Sequence, residues 1–170
     1  MGNHYHLLLE IPQPEQISKL MAGLGRAYSH YYHKTYQTSG YLWQGRFKMQ
    51  PIEKERYLIA CGRYIERNPV RARLVSEPAD YPYSSARFYC LGEDDKLTDE
   101  DYFYETLGKD SLERQDGYRR FLEQFDVEEE QSFSQLEAPQ GSRGFIRRLI
   151  RINGRYLPRR RGRPLERIVS

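Results

Sequence analysis

The sequence predicts an α+β fold for the first half of the chain, followed by short helices and a basic tail. Two segments, 3–10 and 43–50, alternate their side chains as strands do. Two others, 15–36 and 53–68, repeat apolar residues at helical spacing. With 170 residues and 38% hydrophobic content, the chain suits one domain with a compact core plus appendages.

The first predicted strand carries a His-x-His pair. His4 and His6 are two residues apart, so on a strand they project from the same face, where their imidazoles can bind one metal ion. The alternative is a strand with two polar side chains on its solvent side. Pro12 and Pro14 end the strand in either case.

The helix predicted at 15–36 is amphipathic despite two internal glycines, and Thr38-Ser39-Gly40 ends it. The strand predicted at 43–50 has aromatic and apolar residues on one face. Its other face is basic, and Arg46 and Lys48 are its predicted DNA-binding residues.

The second helix should begin near Glu53 and end near Asn68, because Pro69 disfavours helical geometry in the residue before it. On a helical wheel, Tyr57, Tyr64 and Asn68 fall within about 40° of one another. They border a core stripe, while three arginines should face water. The stripe is Leu58, Cys61 and Ile65, and the arginines are Arg56, Arg63 and Arg67.

Asn68 follows Tyr64 by one helical turn on the same face. Two imidazoles and an amide oxygen leave open positions on a divalent ion, which could hold a phosphate oxygen for attack by a tyrosine oxygen. The alternative for Tyr64 is a half-buried ring with its hydroxyl in solvent.

Charge is segregated along the chain. Residues 1–92 carry 12 basic and 7 acidic side chains, residues 93–140 carry 5 and 16, and residues 141–170 carry 10 and 1. This pattern predicts a polyanion-binding end and an acidic segment that folds against it or shields it. Short helices are expected over 98–126 and 143–151, with a flexible connector over 128–141.

Arg161-Gly162-Arg163-Pro164 in the tail resembles the core of an AT-hook, which lies in the narrow minor groove of A·T-rich DNA. A disordered basic tail with general phosphate affinity is an equal alternative. Both imply nucleic acid. Cys61 and Cys90 have neither metal-type nor redox-type spacing, and we expect them to be buried apolar groups in an intracellular protein.

Four blocks of sequence, 1–9, 42–48, 64–72 and 81–85, resemble the signature blocks of the REP-associated tyrosine transposases. These are single-tyrosine relatives of the HUH-class insertion-sequence transposases. The resemblance implies a ferredoxin-like HUH nuclease core, here truncated at its N-terminus, because the first strand and helix of that sheet would precede Met1.

The same resemblance implies roles for four residues. His4, His6 and Asn68 match the metal ligands, and Tyr64 matches the nucleophile. The family uses magnesium or manganese, cleaves single-stranded DNA beside hairpins, and forms a 5′-phosphotyrosine with release of a 3′-hydroxyl.

We therefore predict three regions: a nuclease core at 1–90, an acidic helical segment and linker at 91–140, and a basic DNA-binding tail at 141–170. The expected partners are hairpin-containing single-stranded DNA and A·T-rich duplex, with no membrane. The expected location is the cytoplasm, at the nucleoid, and a monomer and a homodimer both fit.

Two other functions compete with this one. The first is a catalytically inactive DNA-binding remnant of such a transposase. The second, less favoured, is a metalloprotein that adds His30 and His33 to the His-x-His pair; histidines on an amphipathic helix are more often surface residues.

Overall fold

The structure, a computed structural model, describes residues 3–54, 56–125, 127–134 and 139–153. Within these residues the chain forms seven α-helices, and a 3₁₀ turn at Pro78–Asp80 lies between the second and the third. The helices are α1 (Gln16–Tyr36), α2 (Arg56–Arg71), α3 (Ala86–Leu91), α4 (Tyr102–Thr106), α5 (Ser111–Glu123), α6 (Val127–Ser134) and α7 (Arg143–Asn153).

Several predicted helices are confirmed. α1 and α7 match the helices expected over 15–36 and 143–151, and α4 and α5 lie within 98–126. The side chains of Asp101 and Asp110 accept hydrogen bonds from backbone N–H groups in the first turns of α4 and α5. These caps satisfy donors that have no partner within the helix.

The predicted α+β fold with a ferredoxin-like sheet is wrong. The described residues contain no strand and no sheet, and their one isolated bridge joins Ile52 and Gln140 in parallel. Segment 3–10 pairs with no other strand, and segment 43–50 is likewise unpaired and bends at Gln44 and Gly45. Side-chain alternation fixes which face a residue occupies, whereas a strand also needs a partner to complete its hydrogen-bonded ladder.

α2 is as long as predicted but lies three residues later, because it begins at Arg56 and runs through Pro69 to Arg71. Proline removes one donor from the helix but lies in its last turn. The chain still closes hydrogen bonds there, from the N–H of Ala72 to the carbonyl of Asn68 and from the N–H of Leu74 to the carbonyl of Pro69. Asn68 therefore stays helical, one turn beyond Tyr64.

The buried side chains form two clusters. One joins α3, α4 and α5, and the other joins α2 to α6. The first consists of Ala86, Tyr89, Cys90, Tyr104, Tyr118 and Leu122, and the second of Ala60, Cys61, Tyr64 and Phe133. Both cysteines are free and buried, as predicted, and burial raises the pKa of each thiol to about 12.

Glu66 connects α2 to the first cluster. Its carboxyl accepts hydrogen bonds from the hydroxyls of Ser85 at 2.7 Å and Tyr118 at 2.9 Å. Burial raises the pKa of Glu66 to about 7, although both hydrogen bonds act in the opposite direction.

The connector predicted over 128–141 is wrong for its first part, because α6 is a helix packed on α2. Glutamate is a good helix former, and this mostly polar helix buries the ring of Phe133. None of the described helices combines the length and apolarity needed to cross a membrane.

Candidate functional site

The site begins on α2, where Tyr64 and Asn68 occupy one face. Both side chains are buried, with 7% and 8% of their surfaces exposed. Four residues correspond to about one turn of an α-helix, so the phenol and the amide are neighbours. The apolar residues of α2 hold this face toward the interior.

The extended segment 3–10 brings His6 to the same place. The amide nitrogen of Asn68 lies 2.8 Å from Nε2 of His6, and the rings of His6 and Tyr64 meet edge to face with centroids 5.8 Å apart. The structure thus brings together three of the four residues that the sequence singled out for chemistry.

His4 completes the group from its outer side. Its ring lies edge to face with that of His6, at a centroid distance of 5.2 Å, and its Nδ1 lies 2.7 Å from Oδ1 of Asn3. His4 is exposed, whereas His6 is half-buried. The two imidazoles therefore differ in their access to solvent.

Burial lowers the pKa of His6, and the neighbouring charge of His4 lowers it further. A neutral imidazole has one ring nitrogen free to accept a hydrogen bond or to bind a metal. In the structure the Asn68 amide donates to Nε2 of His6, which fits the neutral ring.

The donor set fits a divalent cation. Rotating the Asn68 amide by half a turn exchanges its nitrogen and oxygen, so the position beside His6 can present a carbonyl oxygen. His6 supplies an imidazole nitrogen 2.8 Å from this amide, and the ring of His4 lies 5.2 Å from the ring of His6. No group of three His, Cys, Asp or Glu side chains within the described ranges is arranged for a metal ion, so the third ligand would be the Asn68 amide.

Two further residues cover Tyr64. The ring of Phe133 on α6 lies 5.8 Å from the Tyr64 ring, and the guanidinium of Arg71 lies 5.2 Å from its centroid. Sequence reasoning missed Arg71, although it follows Tyr64 by seven residues and so occupies the same helix face. Its cation would attract a phosphate at the tyrosine hydroxyl.

The prediction that the arginines of α2 face water is wrong for Arg67. Its Nε lies 2.8 Å from Oε1 of Glu130, its guanidinium stacks 3.5 Å from the ring centroid of Phe125, and only 12% of its side chain is exposed. Arg63 donates to the carbonyl of Gln124 and lies over Phe121. The acidic segment covers this face, one of the two arrangements expected from the charge pattern.

The predicted DNA-binding residues fall into two sets. Arg46 and Lys48 are exposed on the segment that follows Trp43. Arg161, Gly162, Arg163 and Pro164 lie outside the described residues. Their predicted roles remain predictions.

His33 has a structural role instead of a metal-binding one. Its Nδ1 lies 2.9 Å from the Thr38 hydroxyl and its Nε2 lies 3.1 Å from the carbonyl oxygen of Gly40. Both ring nitrogens are thereby used to fix the turn after α1. The arrangement gives no support to a site built from His30 and His33.

The site is thus a cluster of two imidazoles, an amide and a phenol, held by one helix and one extended segment. A family model described as "Transposase IS200 like" matches residues 1–68, a range that contains all four of these side chains. The predicted resemblance to IS200-like transposases is therefore confirmed over these 68 of the 170 residues, and a family of that description acts in DNA transposition, with DNA as its partner. No curated protein and no solved structure matches the chain.

Proposed function

We propose that the chain cleaves and joins single-stranded DNA at hairpin-containing sites, with Tyr64 as the nucleophile. The observation that carries this proposal is the cluster of His6, Tyr64 and Asn68, in which the amide touches one imidazole at 2.8 Å and the phenol ring packs against it. The similarity of residues 1–68 to IS200-like transposases supports it independently.

In this reaction the Tyr64 oxygen forms a bond to the phosphorus while the bond from phosphorus to the 3′ oxygen of the preceding nucleotide breaks. The hydroxyl proton leaves the tyrosine, and a proton is taken up by the departing 3′ oxygen, so the products are a 5′-phosphotyrosine and a 3′-hydroxyl. Attack by another 3′-hydroxyl reverses the step and joins two strands. No further reactant is required.

His4, His6 and Asn68 would hold magnesium or manganese beside the tyrosine. When bound, such an ion polarises the phosphoryl group and neutralises charge that develops on its oxygens. Burial lowers the pKa of His6, which favours the neutral imidazole that can bind a metal ion. Arg71 adds a positive charge next to the phenol, and its Nε also lies 3.7 Å from the Glu130 carboxylate.

The test is formation of a covalent protein–DNA adduct. The full chain is incubated with a labelled single strand that contains a hairpin, in magnesium or manganese, and the products are separated under denaturing conditions. We expect an adduct that Tyr64→Phe abolishes. Tyr57→Phe is the matched control, since it removes a hydroxyl seven residues earlier on the same helix face and should leave the adduct unchanged.

A DNA-binding protein that no longer cleaves is the second candidate. Burial of Tyr64 beneath Phe133 favours it, because a nucleophile has to reach the phosphorus. Phe133→Ala would uncover the ring. Hairpin binding without an adduct, both in the unchanged chain and in Phe133→Ala, would assign this second function.

A further inference from the structure

A row of aromatic rings runs along the second half of α1 and onto the segments beside it. Tyr28, Tyr32 and Tyr36 follow at four-residue spacing, with ring centroids 6.2 Å and 4.6 Å apart. Trp43 lies 5.7 Å from Tyr28, and Tyr5 lies 5.7 Å from Trp43 on the other side. We call these rings, together with Tyr31 beside Tyr28, the aromatic row.

The aromatic row faces solvent. No residue of α1 is buried, and Tyr31 and Tyr36 have 58% and 59% of their surfaces exposed. By contrast, Tyr89 and Tyr118 stack on each other inside the first core cluster. An exposed array of aromatic rings is therefore a candidate binding surface for another molecule.

The charge around the aromatic row indicates which class of molecule can bind to it. Residues 16–50 contain five lysines and arginines and not one aspartate or glutamate, whereas the whole chain has 24 acidic residues. The five are Lys19, Arg26, Lys34, Arg46 and Lys48. A surface that combines positive charge with exposed aromatic rings suits single-stranded nucleic acid, whose phosphates are anionic and whose unpaired bases stack on rings.

The row is also held in place before any ligand arrives. The indole Nε1 of Trp43 donates to the carbonyl oxygen of Gly25 at 3.1 Å, which fixes the indole against α1. His33 ties down the turn that returns the chain to the helix, through Thr38 and Gly40. Rings that are already ordered lose little conformational entropy when a base stacks on them.

We propose that the aromatic row is a base-stacking site for unpaired nucleotides of the DNA partner. The proposal rests on the proposed function insofar as that function makes single-stranded DNA the substrate. It assigns a second binding surface, separate from the cluster around Tyr64.

The extended segment separates the two surfaces. Successive side chains of an extended chain point to opposite sides. His6 meets Tyr64 on one side of the segment, and Tyr5 meets Trp43 on the other. The row therefore holds nucleotides that flank the cleavage point, and binding there needs neither Tyr64 nor a metal ion.

The experiment measures the affinity of the full chain for a labelled 20-nucleotide oligothymidylate, which has no hairpin, without divalent metal and at one fixed salt concentration. Replacing both Tyr31 and Tyr36 with leucine should weaken binding by roughly tenfold or more, since base stacking is lost at two rings. Replacing both with phenylalanine should leave affinity within about twofold, because the rings remain. Tyr102→Leu is the matched control, because Tyr102 is 58% exposed but lies in the acidic segment, and it should have no effect.

Trp43 provides a second readout, because it is the only tryptophan in the chain. Oligothymidylate should quench its fluorescence in the unchanged protein and in the phenylalanine variant, and circular dichroism confirms that each variant keeps its helices. Equal affinities for the leucine variant and the unchanged protein would overturn the proposal. So would a leucine variant that changes the oligomeric state while keeping its DNA affinity, since the row would then be a protein interface.

Failure of this proposal is distinguishable from failure of the proposed function. Tyr64→Phe should lose the covalent adduct and keep oligothymidylate binding. The leucine variant should lose that binding and still form the adduct at saturating hairpin DNA. An adduct in the unchanged protein with no effect of the leucine variant rejects only the stacking site, and the reverse pattern rejects only Tyr64 catalysis.

Discussion

The amide nitrogen of Asn68 lies 2.8 Å from Nε2 of His6, although 62 residues separate the two along the chain. This contact attaches segment 3–10 to α2. The described residues form no sheet that could hold the segment instead. The same two side chains belong to the candidate metal-binding set. The same hydrogen bond therefore holds the segment in place and brings two candidate metal ligands together.

Replacing both His4 and His6 with alanine should remove metal-dependent cleavage while largely preserving hairpin binding. The imidazoles are predicted to hold the ion, whereas the aromatic row and the basic residues bind DNA without it. Adduct formation and binding are measured on the same preparation, over a series of magnesium and manganese concentrations. If binding and cleavage are lost in parallel, the histidines contact DNA or support the fold, and the metal assignment fails.

Glu130→Ala should destabilise the protein strongly. Arg67 and Glu130 form an ion pair at 2.8 Å with only 12% and 9% of their side chains exposed, so removing the carboxylate leaves a cation buried without its partner. The expected loss is about 3 kcal/mol in the free energy of unfolding, measured by chemical denaturation.

Glu10→Ala is the control for the Glu130 variant. The pair of Glu10 with Lys54 is as short, at 2.6 Å, but both side chains are solvent-exposed. Water and salt screen such a pair, and its loss should leave stability nearly unchanged. Similar effects in the two variants would show that burial of the Arg67 pair is energetically unimportant.

Glu66 should make the protein less stable as pH rises. Its pKa in the folded chain is about 7, above the usual carboxyl value of 4.5, so between these values the folded state binds more protons than the unfolded state. This contribution is fully present below about pH 4.5 and is lost as pH rises through about 7; it amounts to about 3 kcal/mol.

The measurement compares denaturation midpoints at pH 5 and pH 8 for the unchanged protein and for Glu66→Gln. Glutamine keeps the shape and has no charge to bury at high pH, so its stability should change less between the two conditions. An unaltered pH dependence in Glu66→Gln would assign the effect to other groups.

The sequence predicted local relationships well and partner segments poorly. Helical spacing placed Tyr64 and Asn68 on one face, and the structure has them there, because a helix is determined by residues near in sequence. The sheet was wrong, since the alternation in 3–10 says nothing about which segment would pair with it. The burial of Glu66 gave no local signal either, because its partner Tyr118 is 52 residues away.

The error at 128–141 has a different origin. Glu128-Glu129-Glu130 reads as a solvated linker when charge alone is considered. The partner of Glu130 is Arg67, whose own face was predicted to be exposed for the same reason. The two segments carry opposite charges and bury each other's ionised side chains. The opposite charge blocks along the chain were the sequence signal for this pairing.

Removing residues 154–170 should weaken duplex DNA binding and flatten its dependence on salt. The truncation takes away six arginines and one glutamate and leaves α7 in place, together with the hydrogen bond from the Ser142 hydroxyl to Glu53. Fewer phosphate contacts release fewer counterions, so the slope of log affinity against log salt should decrease. An unchanged slope would mean that the tail makes no phosphate contacts.

Changing Arg161 and Arg163 to lysine distinguishes a minor-groove hook from a diffuse cationic tail. Lysine keeps both charges but lacks the planar guanidinium that fits the narrow groove of A·T-rich DNA. If Arg161-Gly162-Arg163-Pro164 acts as a hook, the variant should lose affinity for an A·T-tract duplex and keep it for a G·C duplex of equal length. The two duplexes are compared in competition at one salt concentration, since affinity depends on salt. Equal losses on both duplexes, or none on either, would make the tail a general phosphate clamp, because a charge-only contact does not discriminate between grooves of different width.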